Sequence, residues 1–313
     1  MKENYPYSKE LKTPRTYGSI DYEKLIFDGK MQKAADFMIK PVLRFKPRKA
    51  FLETGNYSSA DGSQIRYFMF SPKDSGNEKK PAIIYYHGGG FMFPLQLPMM
   101  KNSELYAANT GVKVFLPDFR TSMDVDCRTI LEDCYGMMKF VFEHAEALDV
   151  DSSRIILYGD SAGGALAECT ALLNLKRDRF PLCGQLLIYP VCDIDSWKYK
   201  SMEQYREAPW SYSNNLQMWR LFLMRGADNL EYFVPMHNNL AGLPPSYIEA
   251  LEVDTLRDEA VAYAEKLKAA GVCTECKVIE GAYHGYDAEL KSPLVQKVFQ
   301  HRYQVIRNLT STD

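Results

Sequence analysis

The sequence predicts an α/β fold, a mainly parallel central sheet with helices on both faces and a helical cap. Three observations lead there. Continuous apolar runs such as Ala82-Ile83-Ile84-Tyr85-Tyr86 and Leu186-Leu187-Ile188-Tyr189 recur along the chain and alternate with segments whose apolar residues repeat at helical spacing. Runs of that kind read as strands buried on both faces, and strand–helix alternation is the pattern of a parallel sheet. Another such run, Ile155-Ile156-Leu157-Tyr158, passes through Gly159-Asp160-Ser161-Ala162-Gly163-Gly164 into a stretch of helical composition within a few residues. Finally, 196–243 is rich in Tyr, Trp, Met and Asn, offers no sheet strand, and interrupts the alternation as a helical excursion.

Taken in order, residues 1–46 open the chain as helices. Tyr22-Glu23-Lys24-Leu25-Ile26-Phe27 and the run from Met31 to Met38 carry apolar residues at helical spacing, with Pro41 as the stop. From 51 to 72 the pattern changes to a hairpin of short strands, notably Ile65-Arg66-Tyr67-Phe68-Met69-Phe70, with turns at Gly62 and at Ser75-Gly76-Asn77. The strand at 82–86 runs into His87-Gly88-Gly89-Gly90-Phe91. Val112-Lys113-Val114-Phe115-Leu116-Pro117-Asp118 is a further strand, and Ile130, Leu131, Cys134, Met138, Val141 and Phe142 form one helix face. Strands follow at 186–191, at 246–251 and near 276–279. A helix from Asp258 to Ala270 stops at Gly271, and a terminal helix starts at Pro293. With no repeat, linker or low-complexity tract, 1–313 reads as one domain. About 1–46 and about 196–243 would form its cap over the strand ends, where ligands bind in open α/β sheets.

Composition narrows the class. A net charge of −2 gives no electrostatic case for nucleic acid or an anionic membrane surface. No apolar run approaches the roughly 20 residues that span a bilayer, and the polar N-terminus has no apolar signal segment, so no secretion by that route is expected. Seven scattered cysteines read as reduced thiols in a cytoplasmic protein. Cys273 and Cys276 stand three apart in a strand-like stretch, where side chains point to opposite faces, so a metal or redox pair is not expected there.

The strand-to-helix hinge carries the chemistry. Glycines at 159 and 163 let the chain pass closely where a Cβ would clash, and the apex residue is Ser161, a Gly-x-Ser-x-Gly nucleophile elbow. A serine needs a base, and the base needs an orienting partner. His284, in Gly281-Ala282-Tyr283-His284-Gly285-Tyr286, sits in a loop after a late strand; His144 and His301 lie in helical patterns, and His237 in the insertion. Of the aspartates in Leu251-Glu252-Val253-Asp254-Thr255-Leu256-Arg257-Asp258-Glu259, Asp254 comes at a strand end and is assigned the orienting role. Asp258 and Glu259 open the next helix, where its dipole already favours them. The three glycines at 88–90 suit either a loop wrapping a developing negative charge or a flexible turn.

These motifs together resemble the hormone-sensitive-lipase-like family of α/β-hydrolases, microbial carboxylesterases often described as acetyl esterases. His87-Gly88-Gly89-Gly90 is similar to its HGGG oxyanion motif and Gly159-Asp160-Ser161-Ala162-Gly163-Gly164 to its GDSAGG elbow. Asp254-Thr255-Leu256-Arg257-Asp258-Glu259 is similar to its D-P-L-x-D-E, and His284-Gly285-Tyr286 to its H-G-F. The resemblance runs from about Tyr67 to the C-terminus. Thr255, Tyr286 and Asp118-Phe119-Arg120-Thr121-Ser122 depart from the family pattern. What it implies is a serine esterase of short acyl chains, with Ser161, Asp254 and His284 catalytic and an oxyanion hole from Gly88, Gly89, Gly90 and Ala162. No cofactor or metal is needed, and the partner is a small ester. Phe91, Met92 and Phe93 are expected on the acyl side of the pocket, and Trp210 and Tyr212 on the alcohol side. The same triad also cleaves amides, as in arylformamidases or peptidases. A binding-only receptor on this fold, like the gibberellin receptors, would typically lose a triad residue. Val295, Val298 and Phe299, read as exposed, would support a homodimer.

Overall fold

The computed structural model describes residues 5–12, 14, 20–73, 76, 78–224, 226 and 233–311. The turn expected at Ser75-Gly76-Asn77, the N-terminus to residue 4, and parts of both proposed cap segments lie outside the described residues, wholly or in part.

The helices α1 (Tyr22–Phe27) and α2 (Lys30–Leu43) precede a hairpin of β1 (Ala50–Ser58) and β2 (Gln64–Pro72). The alternation then runs β3 (Lys80–Tyr86), α3 (Leu97–Thr110), β4 (Lys113–Pro117), α4 (Cys127–Glu143), β5 (Val150–Asp160), α5 (Ala162–Lys176) and β6 (Leu182–Ile188). After the short α6 (Lys200–Gln204) and α7 (Tyr212–Leu223) come β7 (Ser246–Val253), α8 (Arg257–Ala269), β8 (Thr274–Tyr283) and α9 (Pro293–Leu309). The strands form one eight-stranded sheet in the order β1-β2-β4-β3-β5-β6-β7-β8. It is antiparallel from β1 to β4 and parallel from there on. Two apolar layers cover it. One draws on α4, α5 and α8, the other on α3 and α9. Central α5 is buried from Ala162 through Asn174, as expected of a helix that is apolar all round.

Local chemistry explains the element ends. Asp126 caps α4 by accepting the Thr129 amide at 2.7 Å. Gly111, at φ 77°, ends α3 in the left-handed conformation that a Cβ disfavours.

Three expectations need correction. Pro41 does not stop α2, which continues to Leu43; in the last turn a proline removes just one amide donor. Residues 281–283, expected in a loop, belong to β8. Its pairing with β7 shifts register between Leu251 and Val253, and Gly281 takes φ 66° there. Val295, Val298 and Phe299 are buried, because the apolar face of α9 packs onto the sheet beside α3 and Phe299 stacks on Tyr106. They offer no exposed dimer surface. The helix α3 had no sequence signal, since its buried face mixes Met100, Tyr106 and Ala107 with Asn102 and Ser103.

The N-terminal helices and the insertion touch. The Tyr22 amide donates to Gln217 Oε1 of α7 at 2.8 Å, and the Ile20 amide to Asn214 Oδ1 at 3.1 Å. All seven cysteines are unpaired. Among the described residues no helix is long and apolar enough to cross a membrane.

Candidate active site

The strand ends of the parallel part of the sheet converge. Leaving β5, the chain turns at Ser161, held at φ 55°, ψ −123°, a region that residues with a Cβ rarely adopt. The turn is tight enough that a Cβ on Gly159 would stand 2.0 Å from the Gly163 carbonyl oxygen, and one on Gly163 2.0 Å from that of Tyr86. Two backbone bonds pin the apex. The Ser161 amide donates to Ile188 at 2.9 Å, and the Val191 amide to Ser161 at 3.0 Å.

From the end of β8, His284 reaches this serine; its Nε2 lies 2.8 Å from Ser161 Oγ, and its Nδ1 lies 2.7 Å from Asp254 Oδ2. Since the carboxylate can only accept, Nδ1 carries the proton and Ser161 Oγ–H donates to Nε2. Asp254 is buried at the end of β7, and its Oδ1 accepts the Leu256 amide at 3.1 Å. The alternative acid, Asp258, points elsewhere, accepting from Arg257 and from the Ser201 amide. The imidazole is held between the edge of Tyr189 and the face of Trp210, with ring centroids at 4.9 and 5.6 Å. Thr255, a departure from the family pattern, donates its hydroxyl to the Trp210 carbonyl at 3.0 Å and so ties the insertion to the acid's loop.

Beside the serine lie the glycines after β3. The Gly88 amide donates to Asp160 Oδ1 at 3.2 Å and is therefore not aimed at the serine. The amides of Gly89, Gly90 and Ala162 donate to no group among the described residues, and Ala162 begins α5, whose positive end points here. His87 braces the loop: its Nδ1 donates to the Gly88 carbonyl at 2.7 Å and its ring stacks on Phe119 at 4.2 Å. Burial lowers its pKa, so it stays neutral. Asp160 is pushed up to about 7, first by burial and then by the nearby Asp287 charge.

A pocket of about 220 Å³ opens at Ser161 and His284, walled by Tyr85, Phe93, Met99, Tyr189 and Trp210. Of the expected lining residues, Phe93 and Trp210 are in this wall. Phe91, Met92 and Tyr212 are not: Phe91 stacks on Phe222 at 3.9 Å, Met92 is fully buried, and Tyr212 lies under Arg206. Asn102, Asp160 and Asp287, unforeseen from the sequence, also line it. A wider groove of about 940 Å³ lies elsewhere, between Lys46, Lys101 and Lys291; it touches neither Ser161 nor His284. Asp193 and Asp195, just before the insertion, approach His237 within it, but Asp193 is already neutralised by Lys198 at 2.6 Å.

A family profile described as alpha/beta hydrolase fold matches residues 83–288. The chain is 30% identical over 264 residues to "Lipase 2" of Moraxella sp. (strain TA144), covering 73% of this chain and 60% of that relative, so it spans less than two thirds of the relative's length. It is 30% identical over 234 residues to "Ethyl acetate hydrolase" of Pseudomonas putida, with 73% of each covered. Among solved structures, a "Bacterial Heroin Esterase" superposes with a TM-score of 0.85 at 24% identity, covering 98% of this chain and 99% of that one, a likeness of fold.

Proposed function

The chain belongs to the hormone-sensitive-lipase-like family of α/β-hydrolases, and on that premise we propose that it is a serine carboxylesterase of short-chain, acetyl-type esters. One observation carries the reading. A continuous hydrogen-bonded line runs from Ser161 through His284 to Asp254, beside amides that donate to no group among the described residues.

Ser161 Oγ attacks the ester carbonyl as His284 Nε2 takes its proton. Asp254 holds the imidazole in the required tautomer and stabilises the imidazolium. The amides of Gly89, Gly90 and Ala162 receive the oxyanion, each such donor being worth on the order of 100–1000-fold in rate. His284 then passes the proton to the leaving alcohol, and a water activated by the same imidazole releases the acid from the acyl-enzyme. Every step uses groups of this chain. A pocket of about 220 Å³ is smaller than the usual ligand cavity of roughly 300–1,000 Å³, which favours small acyl groups. An ethyl acetate hydrolase among the relatives points the same way. In this reading 1–313 is one domain, and the segments near 1–46 and 196–243 cap the strand ends and shield the acyl-enzyme from bulk water.

The test is Ser161→Ala. It should abolish hydrolysis of p-nitrophenyl acetate and labelling by a fluorophosphonate while the circular dichroism spectrum is unchanged. Substantial turnover by a folded Ser161→Ala protein would refute the assignment.

A further inference from the structure

One polar group on the pocket wall has no role in the chemistry above. Helix α3 turns Pro98, Met99 and Asn102 toward the cavity. Asn102 is 4% exposed, and its Oδ1 meets no donor. Of the buried side-chain atoms without a partner among the described residues, it is the one on this wall. Native proteins rarely bury a carboxamide oxygen unpaired, and the neighbouring wall positions Met99 and Phe93 show that apolar side chains fit there. Gln96, on the same wall, is only half-buried, and the carboxylates are engaged. Asp287 accepts from Tyr189 at 2.7 Å and from Arg302 at 2.9 Å, and Asp160 from the Gly88 amide.

We propose that Asn102 determines specificity by hydrogen-bonding a substrate hydroxyl through its carboxamide, so that the preferred esters carry a neutral alcohol group close to the scissile bond. This rests on the esterase reading of Ser161. A hydroxyl both donates and accepts, as a carboxamide does. An anionic substituent would meet the Asp287 carboxylate, which lines the same cavity. The small volume limits the hydroxyl to within a few bonds of the ester, on either its acyl or its alcohol side.

Isosteric pairs separate the two sides: ethylene glycol monoacetate against propyl acetate, and p-nitrophenyl glycolate against p-nitrophenyl propionate. The unmodified protein should favour the hydroxylated member of one pair by about tenfold or more in kcat/KM, since an analogue without the hydroxyl leaves the buried carboxamide unpaired. Asn102→Leu should bring that ratio to about one. Asn102→Ala serves in its place if the leucine variant does not fold. Calorimetric binding of the same pairs to Ser161→Ala should show the same preference without turnover. Ratios near one in both pairs, or a preference that Asn102→Leu retains, would overturn the proposal. If none of the esters is hydrolysed, the esterase reading falls, and the binding arm still decides: tighter binding of a hydroxylated member supports the Asn102 subsite, and equal binding overturns it.

Discussion

Replacing Arg302 by methionine removes a guanidinium that lies completely buried in the interior between α9 and the sheet. Arg302 is 0% exposed and bonds to two carboxylates. Nε and Nη2 reach Glu249 at 3.0 and 2.5 Å, and Nη1 reaches Asp287 at 2.9 Å and the Tyr106 hydroxyl at 3.1 Å. With methionine in its place, Glu249 keeps the phenol of Tyr286 at 2.8 Å and Asp287 keeps that of Tyr189 at 2.7 Å, but neither has a cation. Removing one partner of a buried ion pair costs about 3–5 kcal/mol. That is a fifth or more of the roughly 5–15 kcal/mol that stabilises a typical domain. In urea the midpoint should fall by about 1–2 M at unchanged slope. The combination Arg302→Met, Glu249→Gln, Asp287→Asn removes the charges together and should recover most of the loss. Activity should suffer as well, because Asp287 anchors Tyr189, whose edge packs against the His284 ring. A loss below about 1 kcal/mol, or a neutral triple variant no more stable than Arg302→Met alone, would refute unpaired buried charge as the cause.

Asp254→Asn should lower kcat on p-nitrophenyl acetate by about 10,000-fold, because the imidazole then favours the wrong tautomer; a loss under tenfold would remove Asp254 from the mechanism. Gly163→Ala should leave little folded protein, since the added Cβ would sit 2.0 Å from the Tyr86 carbonyl oxygen, and a thermal melt matching the unmodified chain would contradict that packing. Glu168 is buried in α5, and burial raises its pKa to about 8 although Tyr263 donates to it at 2.6 Å. A folded pKa above the unfolded value means that its stabilisation is fully present below about pH 4.5 and is lost as pH rises through 8, about 3 kcal/mol of it by pH 7. Glu168→Gln should therefore flatten the decline in urea stability between pH 5 and 8, and an unchanged slope would assign that decline to other groups.

The departures from the family pattern gain physical reasons once the chain is folded. Thr255 bonds the Trp210 carbonyl, Tyr286 adds its phenol to Glu249 in the Arg302 cluster, and Phe119 stacks on His87 while Arg120 pairs with buried Asp133. None of these partners is near in sequence, so no motif could have announced them. The wall of the pocket was equally hidden. Asn102 sits on a helix without apolar periodicity, and Phe91 leaves the wall for a stack on Phe222, a choice settled by packing between distant segments.

The sequence by itself determined the strand–helix alternation, the elbow at Ser161 and the pairing of His284 with Asp254 rather than Asp258. Each of these follows from local backbone chemistry: glycines that allow a close pass, an apolar run ending in a polar residue, a carboxylate placed at a strand end. Only folding decides that Gly88 turns its amide to Asp160, that the apolar stripe of α9 is interior rather than a dimer face, and that Arg302 holds Asp287, the anchor of Tyr189. Those outcomes depend on which groups lose water together, and burial is a property of the assembled chain and not of any short segment of it.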